Sequence, residues 1–346
     1  MKIVALDGFG GPERLRIAEA ETPRPGRGEV LIRVAAAGLN RADIHQRQGN
    51  YPPPPGASQV LGMEVAGVVA ERGPEADPRW KIGDPVCALV PGGGYAEDCV
   101  AHSGCCLPIP ASLAANPVTA LTNAASLPEA AWTVWANLFD PGSQCGRSLF
   151  GGGRFFLQGG TSGIGVMAIQ AALAFGVHVA STAGSEEKCR FLRELGCERA
   201  WNYRDQDWAA GAQDWAGVPP DAGVNAILDM VGGDYFPRHI DLLARDGRLI
   251  HISFVRGGEV TLDLRKMMTK RLVITGSTLR SRSVAEKTRL RDAVEASLWP
   301  LLASGRIRPI VDCVYPMEKV AEAHARMESS RHIGKIVLRI GAAATE

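Results

Sequence analysis

The sequence predicts an α/β chain of two domains, a compact β-rich one and then a doubly wound parallel sheet. Three observations carry that prediction. The 346 residues amount to about two domains at roughly 150 residues each. Before about residue 128 the apolar runs are short and broken by Gly and Pro, whereas after about residue 150 an apolar run is repeatedly followed by a helix-length segment. The 40 glycines and 22 prolines form about 18% of the chain, against a usual ~12%, so tight turns are many.

The β-rich domain is expected over residues 1–128, with strands near 3–6, 30–37, 67–70, 86–90 and 96–100. The tract Gly49-Asn50-Tyr51-Pro52-Pro53-Pro54-Pro55-Gly56 can continue neither strand nor helix, because proline lacks a donor and holds φ near −65°. It reads as an ordered loop, in the plainest case a rigid surface turn. Pro128 suits a first helical position and opens a helix over 128–139, which marks the domain boundary. The second domain, over 129–279, then alternates strand and helix: 155–158 with 163–175, 177–182 with 185–195, 225–229 with 235–243, and further strands at 248–253 and 272–276. Alternation means parallel crossovers with helices on both faces. The remainder, a helix over 283–303, a strand over 310–315, a helix over 317–327 and a strand over 335–340, is too small for a domain. It is expected to return and complete the first domain over 280–346.

Composition excludes several classes. A formal net charge of +1 provides no strong field toward nucleic acid or an anionic membrane, and 46% hydrophobic with 22% charged residues is ordinary for a globular protein. No run approaches the ~18 apolar residues of a membrane span, and Asp7 interrupts the start before a signal-peptide core could form. A cytoplasmic protein is expected, with no nucleic-acid or membrane partner. The cysteines at 87, 99, 105, 106, 145, 189, 197 and 313 are scattered and form no Cys-x-x-Cys pair, so reduced thiols are favoured over disulfides or zinc.

Directly after the first parallel strand stands Gly159-Gly160-Thr161-Ser162-Gly163-Ile164-Gly165, followed by Val166, Ile169, Gln170 and Leu173 at helical spacing. In the dinucleotide fingerprint of a Rossmann unit, glycines permit a tight turn, close approach of backbone to pyrophosphate, and close packing of helix on strand. Gly160 and Gly165 fit the outer places, and Ser162 stands where the middle glycine would be. A bare glycine match would say little. Placed after a strand and at the head of a helix, it predicts a diphosphate site at the helix N-terminus, with Gly160, Thr161, Ser162, Gly163, Ile164 and Gly165 as contacts. The alternative is an ordinary strand-to-helix turn.

About twenty residues beyond, where NAD-preferring sheets carry an acid for the ribose hydroxyls, the chain reads Thr182-Ala183-Gly184-Ser185-Glu186-Glu187-Lys188. The strand tip has no acid. Ser185 is a good N-cap, while Lys188 in the first helical turn opposes the dipole by roughly a few tenths of a kcal/mol. Gly184, Ser185 and Lys188 therefore read as a 2′-phosphate site with Tyr203 packing the adenine, which selects NADPH over NADH. A solvated lysine is the alternative.

The chain resembles the medium-chain dehydrogenase/reductase superfamily nearly end to end, and within it the zinc-free NADPH:quinone oxidoreductases of the p53-inducible quinone reductase type. The resemblance is carried by Gly38-Leu39-Asn40-Arg41-Ala42-Asp43, Gln46-Arg47-Gln48-Gly49-Asn50-Tyr51-Pro52, Leu61-Gly62-Met63-Glu64, Trp80-Lys81-Ile82-Gly83-Asp84, the Gly159–Gly165 turn, Leu279-Arg280-Ser281-Arg282 and Ile333-Gly334-Lys335-Ile336. It implies a GroES-like substrate domain with the active site in the cleft beside a Rossmann domain. Where zinc alcohol dehydrogenases of the superfamily place a catalytic cysteine and a histidine, this chain has Asn40 and Met63, and it lacks their structural-zinc lobe. No metal is expected.

Without a Lewis acid the expected reaction is reduction of an acceptor that is already electrophilic, a quinone or a conjugated enone. The resemblance implies that Asn40 and Tyr51 line the site, where each could offer a hydrogen bond; a turn-forming Asn and a packed loop tyrosine are the alternatives. It also implies cofactor contacts at Gly232, Phe254, Leu279, Arg280 and Lys335, with Arg280 and Arg282 as solvated charges otherwise. Asp229 is expected to cap local backbone, and His45 reads as structural more readily than as an acid. The run at 272–276 would be an apolar sheet edge that a second subunit covers, hence a homodimer. An alkenal or enone double-bond reductase and a non-catalytic, crystallin-like NADPH-binding protein stay open beside quinone reduction. The 144–153 link is less regular than the family's.

Overall fold

Two units divide the chain, Met1–Trp132 with Leu279–Glu346, and Thr133–Thr278. The structure is a computed structural model and describes residues 1–110, 112–113, 117–142, 149–217 and 222–341. Cys145 and residues 144–148 of the 144–153 link lie outside the described residues.

The first unit opens with an antiparallel pair, β1 (Lys2–Leu6) and β2 (Leu15–Glu19). Its main sheet is built on β3 (Glu29–Gly38), where Val30, Leu31, Ile32, Val34, Ala36 and Ala37 are all buried, the mark of a strand covered on both faces. There follow α1 (Arg41–Arg47), β4 (Glu64–Arg72), β5 (Pro85–Leu89), β6 (Asp98–His102), β7 (Cys106–Pro108), α2 (Pro117–Ala124) and α3 (Pro128–Val134). The expected helix over 128–139 is helical throughout but widens at Trp135–Phe139 into a π-turn closed by the Asp140 amide on the Trp135 carbonyl.

In the second unit the strands are β8 (Arg154–Leu157), β9 (His178–Ala183), β10 (Arg199–Asn202), β11 (Val224–Asp229), β12 (Leu243–His251) and β13 (Val273–Gly276). They form one sheet in the order β10-β9-β8-β11-β12-β13, every pairing parallel. Its helices are α4 (Gly163–Ala174), α5 (Glu186–Glu194), α6 (Trp208–Ala216), α7 (Phe236–Leu242) and α8 (Leu264–Lys270). The reversal of strand order between β8 and β11 makes a switch point at the carboxyl ends of those strands, where doubly wound sheets hold ligands. α4 is apolar nearly all round and buried along Gly165–Ala172, as a helix packed on a sheet must be.

Three elements depart from expectation. β12 starts at Leu243 rather than Arg248, because Leu243 pairs with Val224 before a bulge that Asp246 closes with φ +62°. β10 is too short to announce itself; α6 starts at Asp207, whose side chain caps the Ala209 amide, and buries Trp208, Ala212 and Ala216 at helical spacing, a period present in the sequence but not among the expected helices. α8 buries no residue: its apolar Leu264 and Met268 stand exposed, and its single turn of apolar spacing was not read as a helix.

The chain returns to the first unit as α9 (Val284–Ser297), α10 (Trp299–Ala303), β14 (Val311–Pro316), α11 (Val320–Glu328) and β15 (Lys335–Arg339). The single helix expected over 283–303 breaks at Leu298, since Pro300 has no amide to continue the ladder. β15 pairs antiparallel with β3, and the sheet runs β14-β15-β3-β4-β5-β7 with β6 also on β3. Residues far apart in sequence, near 38, 64 and 337, thereby meet at one end of the sheet. Among the described residues no helix is long and apolar enough to cross a membrane.

Candidate active site

The predicted site residues fall into two groups, one in each unit. In the second unit the Gly159–Gly165 turn joins β8 to α4. Ser162 caps the helix by accepting from the Gly165 amide at 3.0 Å. Gly165 must be glycine for packing, because a Cβ there would lie 2.6 Å from the Gly160 carbonyl oxygen and 2.8 Å from that of Gly159. Gly160 lies against β9, its amide donating to the Thr182 carbonyl at 3.0 Å. A Cβ at Gly160 would collide with Ser181 Oγ and with Leu192 at 2.9 Å, so both glycines let the turn pack tightly between β9 and α4, the close packing that a diphosphate-binding turn requires.

At the tip of β9, Ser185 caps α5 through the Lys188 amide. Tyr203 donates its amide to the Ala183 carbonyl, and its hydroxyl lies 2.7 Å from where a Gly184 Cβ would be. Gly184, Ser185, Lys188 and Tyr203 thus share one corner of the unit. Gly232 sits at φ +67°, and a Cβ there would meet the Gly257 carbonyl oxygen at 2.5 Å and Phe254, which is 66% exposed.

A buried polar chain beneath these turns was not visible in the sequence. Gly159 N donates to Thr182 Oγ1, Thr182 Oγ1 donates to Gln158 Oε1 at 2.5 Å, and the Gln158 amide meets His239 Nε2 at 2.9 Å. Behind His239 stands Asp229, whose oxygens accept from the Val231 and Gly232 amides at 2.8 and 3.0 Å and approach His251 Nδ1 at 3.1 Å. Asp229 caps backbone, as expected. Burial works to raise its carboxyl, but His251, His239 and the two amides outweigh it and hold the group below the usual carboxylate range. Burial pushes His239 down to about 4, so its imidazole is neutral at physiological pH.

In the first unit Asn40 is the N-cap of α1, where its amide NH donates to Asp43 Oδ2 at 2.8 Å. Its side-chain nitrogen donates to Glu64 Oε1 at 2.9 Å, and its Oδ1 accepts from Lys335 Nζ at 2.7 Å. Lys335 also forms an ion pair with Glu64, and all three side chains are buried. Asp43 accepts from Gly62 N and the Tyr95 hydroxyl, each at 3.1 Å. Burial pushes its carboxyl up to about 6 against those donors. Glu129, at the start of α3, gives its amide to Glu64 Oε2 at 2.9 Å. Burial and then the Glu64 charge push its carboxyl up to about 7. A Pro-Glu start suits any helix dipole, which is why the sequence did not mark Glu129.

Tyr51 is half-buried, and burial followed by the Glu129 charge raises its phenol above the ordinary value. Arg280, expected on the cofactor or otherwise in solvent, is buried rather than solvated and clamps the proline-rich loop. Its Nε donates to the Pro91 carbonyl at 2.7 Å, its other nitrogens to Gln46 Oε1 and the Tyr51 carbonyl, and its guanidinium lies 5.4 Å from the Tyr51 ring centroid. The reason is position: Arg280 belongs to the first unit, and burial demands a partner for each of its nitrogens. Arg282 pairs with Glu286, and Leu279 is buried.

Two family models match the chain, "Alcohol dehydrogenase GroES-like domain" over residues 26–111 and "Zinc-binding dehydrogenase" over residues 195–338. The chain is similar to a quinone oxidoreductase of Lama guanicoe, at 30% identity over 98% of this chain and 97% of the relative. It is equally similar to a zinc-type alcohol dehydrogenase-like protein of Schizosaccharomyces pombe, at 30% over 98% and 99%. Among solved structures, Escherichia coli quinone oxidoreductase complexed with NADPH superposes with a TM-score of 0.82 at 25% identity, covering 98% of this chain and 100% of that one.

The residues do not fit the zinc that one family model names. At the Asn40, Met63 and Glu64 place, an amide nitrogen and the Lys335 ammonium already occupy Glu64, so an ion there would meet a fixed positive charge. Among the described residues no three His, Cys, Asp or Glu come together to hold a metal.

Proposed function

This chain belongs to the medium-chain dehydrogenase/reductase superfamily, in its quinone-oxidoreductase-like branch, and from that premise we propose that it is an NADPH-dependent reductase of quinones that works without a metal ion. The observation that carries the reading is the Lys335 ammonium held between Asn40 and Glu64, a fixed cation where a zinc enzyme needs an open coordination site. Such a site cannot ionise an alcohol as a metal would, but it suits an acceptor whose own conjugation delocalises the incoming charge.

When bound, reduced nicotinamide supplies the hydride. The chain's own residues bind and orient. The head of α4 takes the diphosphate on free amides, and Ser162 holds that turn rigid through the Gly165 amide. Lys188 and Tyr203 receive the adenosine end, with Lys188 favouring a 2′-phosphate. Asn40 holds the Lys335 ammonium in place, and Lys335 provides the positive field toward an oxyanion formed on the acceptor. Tyr51 offers a phenol that stays protonated, on a loop that Arg280 clamps.

β13 pairs with β12 and, among the described residues, with no other strand; exposed Phe254, Val255 and Met268 belong to the same unit. An apolar edge of this kind supports a homodimer.

The test follows NADPH absorbance with an ortho-quinone and with a simple alkenal. Consumption with the quinone, insensitive to chelators, is expected; consumption with the alkenal alone would move the reading to double-bond reduction. Lys188→Ala should weaken NADPH roughly ten- to hundredfold while sparing NADH, a charge-assisted contact being worth ~1.5–3 kcal/mol. Turnover lost together with stoichiometric zinc, or NADPH binding without consumption of either acceptor, would overturn the proposal.

A further inference from the structure

Hydride addition leaves an oxyanion, and the acceptor must still gain a proton. Asp43 is a poor candidate to give it, because its two oxygens are taken by the Asn40 and Gly62 amides and the Tyr95 hydroxyl. Burial and the neighbouring Glu129 charge make the Tyr51 phenol a weaker acid than usual. His45 is lowered by burial and by Arg41, so it carries little charge to give at neutral pH.

Glu129 differs from all three. It stands in the first turn of α3, and its backbone amide is tied to Glu64 Oε2 at 2.9 Å, which sets where that turn lies against β4. Its own carboxyl forms no hydrogen bond with any described residue, and the residue keeps part of its surface open. The charges that face it come from each element packed around it: Glu64 on β4, Lys335 on β15, Asp43 on α1 and Lys287 on α9, with Tyr51 and Arg280 beyond. Asn40, which shares Glu64 Oε1 with Lys335, completes the same cluster. A carboxyl without a protein partner among buried charges, beside the residues read as lining the acceptor, has an unused donor.

We propose that Glu129 is the proton donor of the reaction, giving its proton to the oxyanion that hydride addition leaves on the acceptor; the inference rests on the reductase reading above. Two electrons and one hydrogen leave NADPH, which becomes NADP⁺, and the acceptor is left one proton short with its charge on oxygen. The Glu129 O–H bond then breaks as the product O–H bond forms. The Glu129 carboxylate regains its proton from water, for which the partly open surface gives access. Glu64 favours the protonated donor, while Lys335 and Lys287 favour the carboxylate left behind, so both states of the cycle have support. With the carboxyl pushed up to about 7, the donor is half-loaded near neutral pH, where general acids work best.

The experiment compares the wild-type enzyme with Glu129→Gln and Glu129→Asp, using NADPH with an ortho-quinone across pH 5 to 9. In the wild type kcat should be level below about pH 7 and fall about tenfold per pH unit above it. E129Q should lose about a hundredfold in kcat, keep KM and the NADPH affinity within a few fold, and show no break near pH 7. E129D should recover part of the rate together with a break. In the ligand-free protein, the infrared C=O stretch of a protonated carboxyl should disappear as pH rises through 7, and should be missing from that range in E129Q. A wild-type profile without the break, or a break that persists in E129Q, overturns the role of Glu129 while leaving the reductase reading intact. No turnover by the wild type with any quinone or enone overturns both, whatever the infrared titration shows.

Discussion

Replacing Lys335 by Met isolates the buried ion pair at the end of the first unit's sheet. Methionine retains the length of the aliphatic stem and little cavity forms, so the loss is electrostatic. Glu64 is fully buried; one of its oxygens receives Asn40 Nδ2 and Lys335 Nζ, and the other receives the Glu129 amide. Without the ammonium the carboxylate retains two neutral donors and no countercharge. Breaking a buried pair from one side costs about 3–5 kcal/mol, whereas replacing both partners by neutral groups of similar volume is often close to neutral. Lys335→Met should therefore destabilise the first unit by about 3–5 kcal/mol at neutral pH, and the double variant with Glu64→Gln should return to within about 1 kcal/mol of the wild type. Amide hydrogen exchange along β3 and β15, read beside urea unfolding, reports this unit specifically. A single variant within about 1 kcal/mol of the wild type, or a double variant no more stable than the single one, would refute the reasoning.

Gly165→Ala drives a Cβ to 2.6 and 2.8 Å from two backbone oxygens that cannot rotate away, so the head of α4 must shift from the turn. NADPH affinity measured by calorimetry should fall at least about tenfold, some 1.4 kcal/mol, with far-UV circular dichroism unchanged; retained affinity would remove the diphosphate from this turn. Glu129 also predicts a pH dependence of stability. Its folded value near 7 exceeds the ordinary 4.5, so its favourable contribution is complete below about pH 4.5 and is lost as pH rises through 7. E129Q should therefore gain on the wild type across that window by up to about 3 kcal/mol, an upper figure for a partly open residue, and parallel stability curves from pH 4 to 8 would contradict the raised value.

The parts of this protein that were legible in its sequence are those whose chemistry is local. The Gly159–Gly165 turn could be read because its glycine spacing, the strand before it and the helix after it lie within about twenty residues. The cap at Ser185 is of the same kind, whereas the break before Pro300, though equally local, was passed over in the single helix expected over 283–303. What could not be read was made by pairing over distance. Asn40, Glu64 and Lys335 meet because β4 and β15 both pair with β3, and Glu129 joins them only through a backbone amide. Arg280 shows the same limit: its motif could not reveal that the side chain is buried, with Pro91, Gln46 and Tyr51 accepting from its nitrogens. α8 was missed although Leu264, Met267 and Met268 fall at helical spacing, because its seven residues give that period only one turn to show itself.

The charges of the first-unit cluster bear on which acceptors such a site could reduce. Around Glu129 stand two cations, Lys335 and Lys287, the Glu64 carboxylate, and Asp43, whose carboxyl burial pushes up to about 6. An acceptor that arrives as an anion would place its charge among these carboxylates and favour the protonated state of Glu129, at an electrostatic cost in a region where the effective dielectric is well below that of water. A neutral acceptor that becomes an oxyanion only after hydride addition meets that cost later, when the two ammonium groups attract the new charge and Glu129 can remove it by protonation. The field therefore discriminates in favour of charge created in the reaction over charge brought by the substrate, which is the condition for stabilising a transition state rather than a ground state. On this argument simple quinones should be reduced faster than the same quinones carrying a sulfonate, with the gap appearing in KM as well as kcat. E129Q should narrow the kcat part of that gap alone, because it removes the proton donor while leaving the fixed charges of Glu64, Lys335 and Lys287 in place.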